Sequence, residues 1–161
     1  MSLYASETRV PVEQSRDEIE KLLKRYGADA FGYATDGATN VAAVKFRAAD
    51  RWVRFHLPMP TIESCRVARS RGRSARRLTE SQAENARDKE TRRRWRALAL
   101  LIKAKLEAVA TGIVIFEKEF LAHIVVPGGS GESTVGDVML PAIADAYKSG
   151  KPLLLGTGSA E

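Results

Sequence analysis

The chain has 161 residues, 44% hydrophobic and 29% charged, with 26 Lys and Arg against 20 Asp and Glu, a net charge of +6 and a pI near 9.7. That length fits one domain, residues 1–161, with a single sizeable core, and the composition is globular rather than disordered or fibrous. One cysteine, Cys65, excludes an internal disulfide, the longest apolar runs are too short to span a membrane, and Met1–Val12 lacks the basic start and apolar run of a signal peptide, so a cytoplasmic protein is expected.

The first predicted element is a helix from Arg16 to Tyr26. Ser15 and Glu18 have the S-x-x-E spacing of a capping box, Ile19, Leu22, Leu23 and Tyr26 recur at helical spacing, and Gly27 supplies a left-handed stop. A β-meander follows over Ala30–Thr35, Val41–Arg47 and Arg51–Leu57, with a turn at Asp36-Gly37 and a tight connection around Ala48–Asp50. Alternation puts Val44 and Phe46, then Val53, Phe55 and Leu57, on one side. Lys45, Arg47, Trp52, Arg54 and His56 fall on the other. Pro58-Met59-Pro60 ends the sheet.

Residues 61–78 read as a mobile loop, because Arg mixed with Ser, Ala and Gly buries little. Thr79 caps a long helix with Glu80 in its first turn, polar at first, then carrying a stripe through Trp95, Leu98, Leu101, Ile102, Leu106 and Val109. Gly112 ends or kinks it. A second apolar helix is expected from Ile113 to Val125, with Ile113, Phe116, Phe120, Leu121 and Ile124 on one face; a strand is the alternative for Ile113–Phe116. After the loop Pro127–Glu132, Ser133 or Thr134 caps a last helix that contains Pro141, reaches Tyr147 and is stopped by Gly150 and Pro152. The expected fold class is α+β: residues 13–60 form the N-terminal helix and three-stranded antiparallel meander, and residues 79–155 form a long helix and a helical C-terminal half.

Charge is the strongest functional signal. Between Arg66 and Lys105 lie eleven Arg and three Lys against four acids, a local charge of +10 in a chain of +6. Such a field attracts polyanions. Guanidinium groups bind phosphates bidentately and stack on bases, so Arg66, Arg69, Arg71, Arg73, Arg76 and Arg77 are candidate nucleic-acid contacts. Arg92 and Arg96, spaced i,i+4, are expected to share a groove-facing side, whereas Trp95, three residues before Leu98, belongs to the core. Lys45, Arg47, Trp52, Arg54 and His56 suit single strands: cations track the backbone and an indole stacks on a base.

Other constellations carry less. Glu119 and His123 have the i,i+4 spacing of two metal ligands, but a site needs three or four and no C-x-x-C or H-E-x-x-H is present. The glycine-rich stretch 127–134 lacks the lysine that a phosphate-binding loop requires, with Glu132 in its place. Cys65 has no adjacent His or second Cys to make it a nucleophile. No catalytic residue, metal or cofactor is expected.

Three runs in the second half resemble a family of small phage and prophage proteins: Arg93-Arg94-Trp95-Arg96-Ala97-Leu98, Ile102-Lys103-Ala104-Lys105-Leu106-Glu107 and Phe116-Glu117-Lys118-Glu119-Phe120-Leu121-Ala122-His123-Ile124. Thr134-Val135-Gly136 and the Tyr147–Leu155 tail fit the likeness too. It covers about two-thirds of the chain and implies a mobile-element setting inside a bacterial host cell, without assigning a function. The order helix, three strands, long helix also resembles the core of phage single-strand annealing proteins, which implies homo-oligomers laying single-stranded DNA along a basic groove. The resulting expectation is a non-catalytic nucleic-acid-binding protein, with single-stranded DNA favoured over duplex DNA or RNA. The alternatives are a phage structural or protein-interaction module, and a metal-dependent nuclease using Glu117, Glu119 and His123.

Overall fold

The structure, a computed structural model, describes residues 8–68, 76–128 and 133–152. Its elements are α1 (Val12–Arg25), β1 (Ala30–Asp36), β2 (Val41–Ala48), β3 (Arg51–Pro58), α2 (Ile62–Cys65), β4 (Val67–Ala68), β5 (Arg76–Arg77), α3 (Glu80–Ala110), α4 (Phe116–Phe120) with a 3-10 turn over Leu121–His123, and α5 (Val135–Ser149). This is the expected α+β arrangement. An N-terminal helix precedes an antiparallel sheet of order β1-β2-β3, a long helix and C-terminal helices.

One hydrophobic core joins the layers. Val44, Phe46, Val53 and Phe55 on one sheet face meet Ile19, Leu22 and Leu23 of α1 and Trp95, Leu98, Ile102 and Leu106 of α3. Trp95 is 1% exposed, as its spacing from Leu98 predicts. The guanidinium of Arg16 lies between its ring, 4.4 Å away, and that of Tyr33, 4.5 Å away. Such cation–π contacts let a cation sit against an apolar layer.

The β2–β3 hairpin turns on Ala49 and Asp50, both at positive φ (49° and 56°). A two-residue loop of that kind matches the twist of the flanking strands, and it usually draws Asn or Gly. The register sets Lys45 opposite Arg54, Arg47 opposite Trp52 and Ala43 opposite His56.

Three expectations are corrected. First, α1 begins at Val12 with Pro11 as its N-cap, so Ser15 is an interior helical residue and not the cap. Pro11 has no N–H to satisfy and its extended backbone leads into the helix, whose first bond runs from Ser15 N to Pro11 O at 3.2 Å. Ser15 is buried, and its hydroxyl has no partner among the described residues.

Second, residues 61–78 are not featureless where they are described. Thr61 caps α2 through a capping box with Ser64, Val67 pairs with Arg77, and Leu78 N donates to Arg66 O at 2.8 Å. Local side-chain caps and two rungs of ladder outweigh a composition that buries little. Residues 69–75, with Arg69, Arg71 and Arg73, lie outside the described residues.

Third, no continuous helix runs from Ile113 to Val125. Gly112, at φ 74°, ends α3, and Ile115 is the extended N-cap of α4. After His123 the chain turns extended: Val125 N donates to Trp52 O at 2.8 Å, and Ile124 bridges to Val53 along the outer edge of β3. Only part of the expected apolar face is therefore inside. Phe120 is fully buried, edge-on to Phe46 and Phe55, while Ile113 is 76% exposed. Thr79 and Thr134 cap α3 and α5 as expected, each in a capping box, with Gln82 and Asp137 as partners.

Candidate nucleic-acid interface

The sheet face turned away from α1 and α3 is a shallow shelf. From β1 it takes Ala30, Gly32 and Ala34, which lie beside Arg47, Lys45 and Ala43 of β2, and at the far end Asp36, beside Val41. Small side chains on that strand leave the taller residues of β2 and β3 standing clear. The sequence pattern of β1 contains this signal, because its large residues Phe31 and Tyr33 alternate onto the other face.

Trp52 stands at one corner of the shelf, on β3 beside the β2–β3 turn. It is 39% exposed, the Lys45 ammonium lies 4.8 Å from its ring and the Arg47 guanidinium 5.9 Å. An indole flanked by two cations offers a stacking surface beside phosphate-binding charge. Its own stem is fixed by β3, whose backbone oxygen at Trp52 receives the Val125 bond.

The other candidates are distributed unevenly. Arg47 is held bidentately by Asp29, Nε to Oδ1 at 2.8 Å and Nη2 to Oδ2 at 2.7 Å, and its guanidinium keeps the Asp29 carboxyl below the usual carboxylate range. Arg54 is mostly buried, with a guanidinium nitrogen 3.5 Å from Asp137 Oδ2. His56 is exposed on the same face. Arg66 pairs with Glu63 at 2.8 Å, and Arg77 is exposed on the β4–β5 hairpin. Arg76 is placed on that hairpin by its backbone pairing with Ala68.

Arg92 and Arg96 do not join this surface. They sit in the helical layer, on the far side of the core, and face α1. Arg96 binds the carboxylate of Glu18, and Arg92 lines a shallow cavity of about 400 Å³ with Pro11 and Val12. Burying α3 against α1 dictates this, since Trp95 and Leu98 turn the same side inward. The positive charge of α3 is also answered locally: Arg87 pairs with Asp88, Arg93 and Arg94 with Glu90, and Lys105 with Glu119. Hydrogen bonds from Arg93, then Arg94, hold the Glu90 carboxyl below its ordinary value. Much of the positive charge of α3 is thus compensated by neighbouring carboxylates.

The metal pairing is not assembled. Glu119 receives Lys105 Nζ at 2.8 Å, and His123 stacks on Phe55 with ring centroids 4.1 Å apart. Burial is the main reason the His123 pKa falls below 6.5, with the Lys105 charge second. Among the described residues no three His, Cys, Asp or Glu converge to hold a metal ion, and no helix is long and apolar enough to cross a membrane. No protein-family model, curated protein or solved structure matches the chain.

Proposed function

We propose that the protein binds nucleic acid without catalysing a reaction on it, that single-stranded DNA is its preferred form, and that it serves phage recombination or replication in a bacterial host. The observation that carries this reading is Trp52, exposed between Lys45 and Arg47 on a shelf of small residues. A base stacks on the indole and the backbone runs past Lys45, Arg47 and His56, while the arginines of the β4–β5 hairpin, which lies beside α3, add separate phosphate contacts. Contacts of this type track phosphates and stack bases with little sequence readout. The phage setting rests on the likeness of the runs beginning at Arg93, Ile102 and Phe116.

The proposed contributions of the candidate residues differ. Arg47 is partly neutralised by Asp29, Arg54 is turned inward, and Arg96 is occupied by Glu18. Trp52, His56 and Arg77 lead the proposed interface, with Lys45 beside the Trp52 ring and Arg69, Arg71, Arg73 and Arg76 added from the sequence. Changing Arg71, Arg73, Arg76 and Arg77 together to Ala should weaken binding and flatten its salt dependence, since each lost phosphate contact removes roughly 0.7 from the log–log salt slope for a single strand. An unchanged affinity would remove the hairpin from the interface. Absence of any complex at low salt with single-stranded DNA, duplex DNA or RNA would overturn the proposal itself.

A further inference from the structure

The chain has two histidines, and the fold brings both to one cleft. His56 comes from β3 and His123 from the 3-10 turn that follows α4. The cleft, of about 220 Å³, lies at the end of the shelf remote from Trp52, where the 3-10 turn and the first turns of α5 stand beside β3. Arg54 and His56 line one side of it, and Ala122, His123, Thr134 and Asp137 contribute to the other. Trp52, Arg54 and His56 alternate onto one face of β3, so His56 lies about 13 Å from Trp52 along the strand. His123 is fixed in place. Its ring stacks on Phe55 with centroids 4.1 Å apart, and a hydrogen bond to the Arg54 backbone uses one ring nitrogen. The other nitrogen is then the one that gains a proton.

We propose that this cleft binds a phosphate group, and that the two imidazoles take up protons as it does so. Arg54 faces Asp137 across 3.5 Å, so the fixed charges of the cleft cancel. Lys105, which faces His123 from α3, is answered by Glu119 of α4 at 2.8 Å, and Lys118 of α4 lies toward the groove on the other side of the 3-10 turn. The remaining charge rests with His56 and His123. Each proton gained there adds a positive charge beside Arg54. Cationic imidazoles this close to each other, to Arg54 and to Lys105 repel unless an anion joins them. Burial, and then the Lys105 charge, already hold the His123 pKa below 6.5. A phosphate offers oxygens to both imidazole N–H groups and to the Arg54 guanidinium, whose planar fork suits phosphate oxygens. Three donors from two sides of a cleft fit a tetrahedral oxyanion better than a planar carboxylate. Asp137 explains the need for protons. It is locked in the α5 capping box with Thr134, which keeps it ionised, so its charge opposes the ligand until the imidazoles are protonated. Assigning the phosphate to a strand that stacks on Trp52 rests on the nucleic-acid reading; the binding of phosphate itself does not.

The test has two arms. In the first, the His123 imidazole signal of the full chain is titrated by NMR in inorganic phosphate and in chloride at equal ionic strength, the signal being assigned by its loss in His123→Gln. Phosphate should raise the His123 midpoint by roughly one unit. The same midpoint in both salts overturns the proposal, whatever the protein does with nucleic acid. In the second, a labelled single-stranded oligonucleotide is titrated at about pH 7.5 and about pH 5.5, on either side of the ordinary imidazole range, with the unmodified protein and with His56→Gln. His56 is exposed, so this substitution leaves the core intact. Binding should tighten about tenfold or more at the lower pH, and His56→Gln should remove most of that gain, which makes a strand phosphate the ligand. A His123 shift in phosphate beside a pH gain that His56→Gln leaves whole makes free phosphate the ligand. No strand binding at either pH sinks the nucleic-acid reading, and the first arm still decides the cleft.

Discussion

Phe120 and Ile113 were expected on one buried helical face, and the structure separates them; substituting each with Ala measures that separation. Phe120 is fully buried, edge-on to Phe46 at 5.9 Å and Phe55 at 6.3 Å, stacked on Phe116 at 4.7 Å, with Lys105 Nζ 5.6 Å from its ring. Removing it opens a cavity at the junction of sheet, α3 and α4. Phe→Ala at such sites costs about 3–5 kcal/mol. For a chain of this length that lowers Tm by roughly 6–20 °C. Ile113 is 76% exposed, so Ile113→Ala should stay within about 0.5 kcal/mol. Thermal and urea denaturation followed by circular dichroism give both values. Comparable losses at the two positions would restore the continuous helix over Ile113–Val125 and refute the placement of α4.

Three further outcomes follow from local geometry. Ala49 holds φ 49° in the β2–β3 turn, a region that costs a residue with a Cβ about 1–2 kcal/mol, so Ala49→Gly should leave stability unchanged or raise it by up to about 1 kcal/mol; a clear loss in denaturant titration would contradict the turn. Arg96→Met should leave nucleic-acid affinity within about twofold while lowering stability modestly, because its charge is spent on Glu18; a tenfold loss of affinity would return Arg96 to the interface. Acid should destabilise the fold steadily. Glu90 and Asp137 have carboxyls held low in the folded protein, by Arg93 and Arg94 and by the Thr134 cap respectively, so their stabilisation is present above the unfolded value and lost as pH falls through the folded one. His123, lowered by burial, acts with the same sign, since the unfolded chain binds its proton first, from about pH 6.5 downward. A Tm that rises on acidification from neutral pH would contradict these assignments.

Much of the fold is written in local signals. Period-two alternation in residues 41–57 leads directly to the observed β2–β3 pair and its two faces, and Thr79 and Thr134 sit where their capping boxes predict. The failures are those of local reasoning. Ser15 and Glu18 have capping spacing, but Pro11 starts the helix earlier, and Glu18 is claimed by Arg96, 78 residues away in sequence. The apolar run 113–125 has helical periodicity, but Gly112 and the free edge of β3 draw its ends into a turn and a bridge. The strand positions of the candidate cations are legible in the sequence; their partners are not. Asp29 lies 18 residues before Arg47, and Asp137 comes from another element altogether. Only the meander register, which sets Ala30 opposite Arg47, could have pointed to Asp29.

The tryptophans offer the most direct approach to the interface. Trp95 is buried and its indole N–H has no acceptor among the described residues, so Trp95→Phe removes no hydrogen bond and leaves Trp52 as the sole indole. Its fluorescence should be quenched saturably by single-stranded DNA.

The central claim is tested by the anisotropy of a labelled single-stranded oligonucleotide at low salt, titrated with the unmodified protein and with Trp52→Ala, beside a duplex of the same sequence. Stacking on an indole is worth roughly 1–3 kcal/mol per base, so the substitution should weaken single-strand binding by about tenfold or more and duplex binding much less. Equal affinities of the two proteins for the single strand, or no binding by either, would contradict the account.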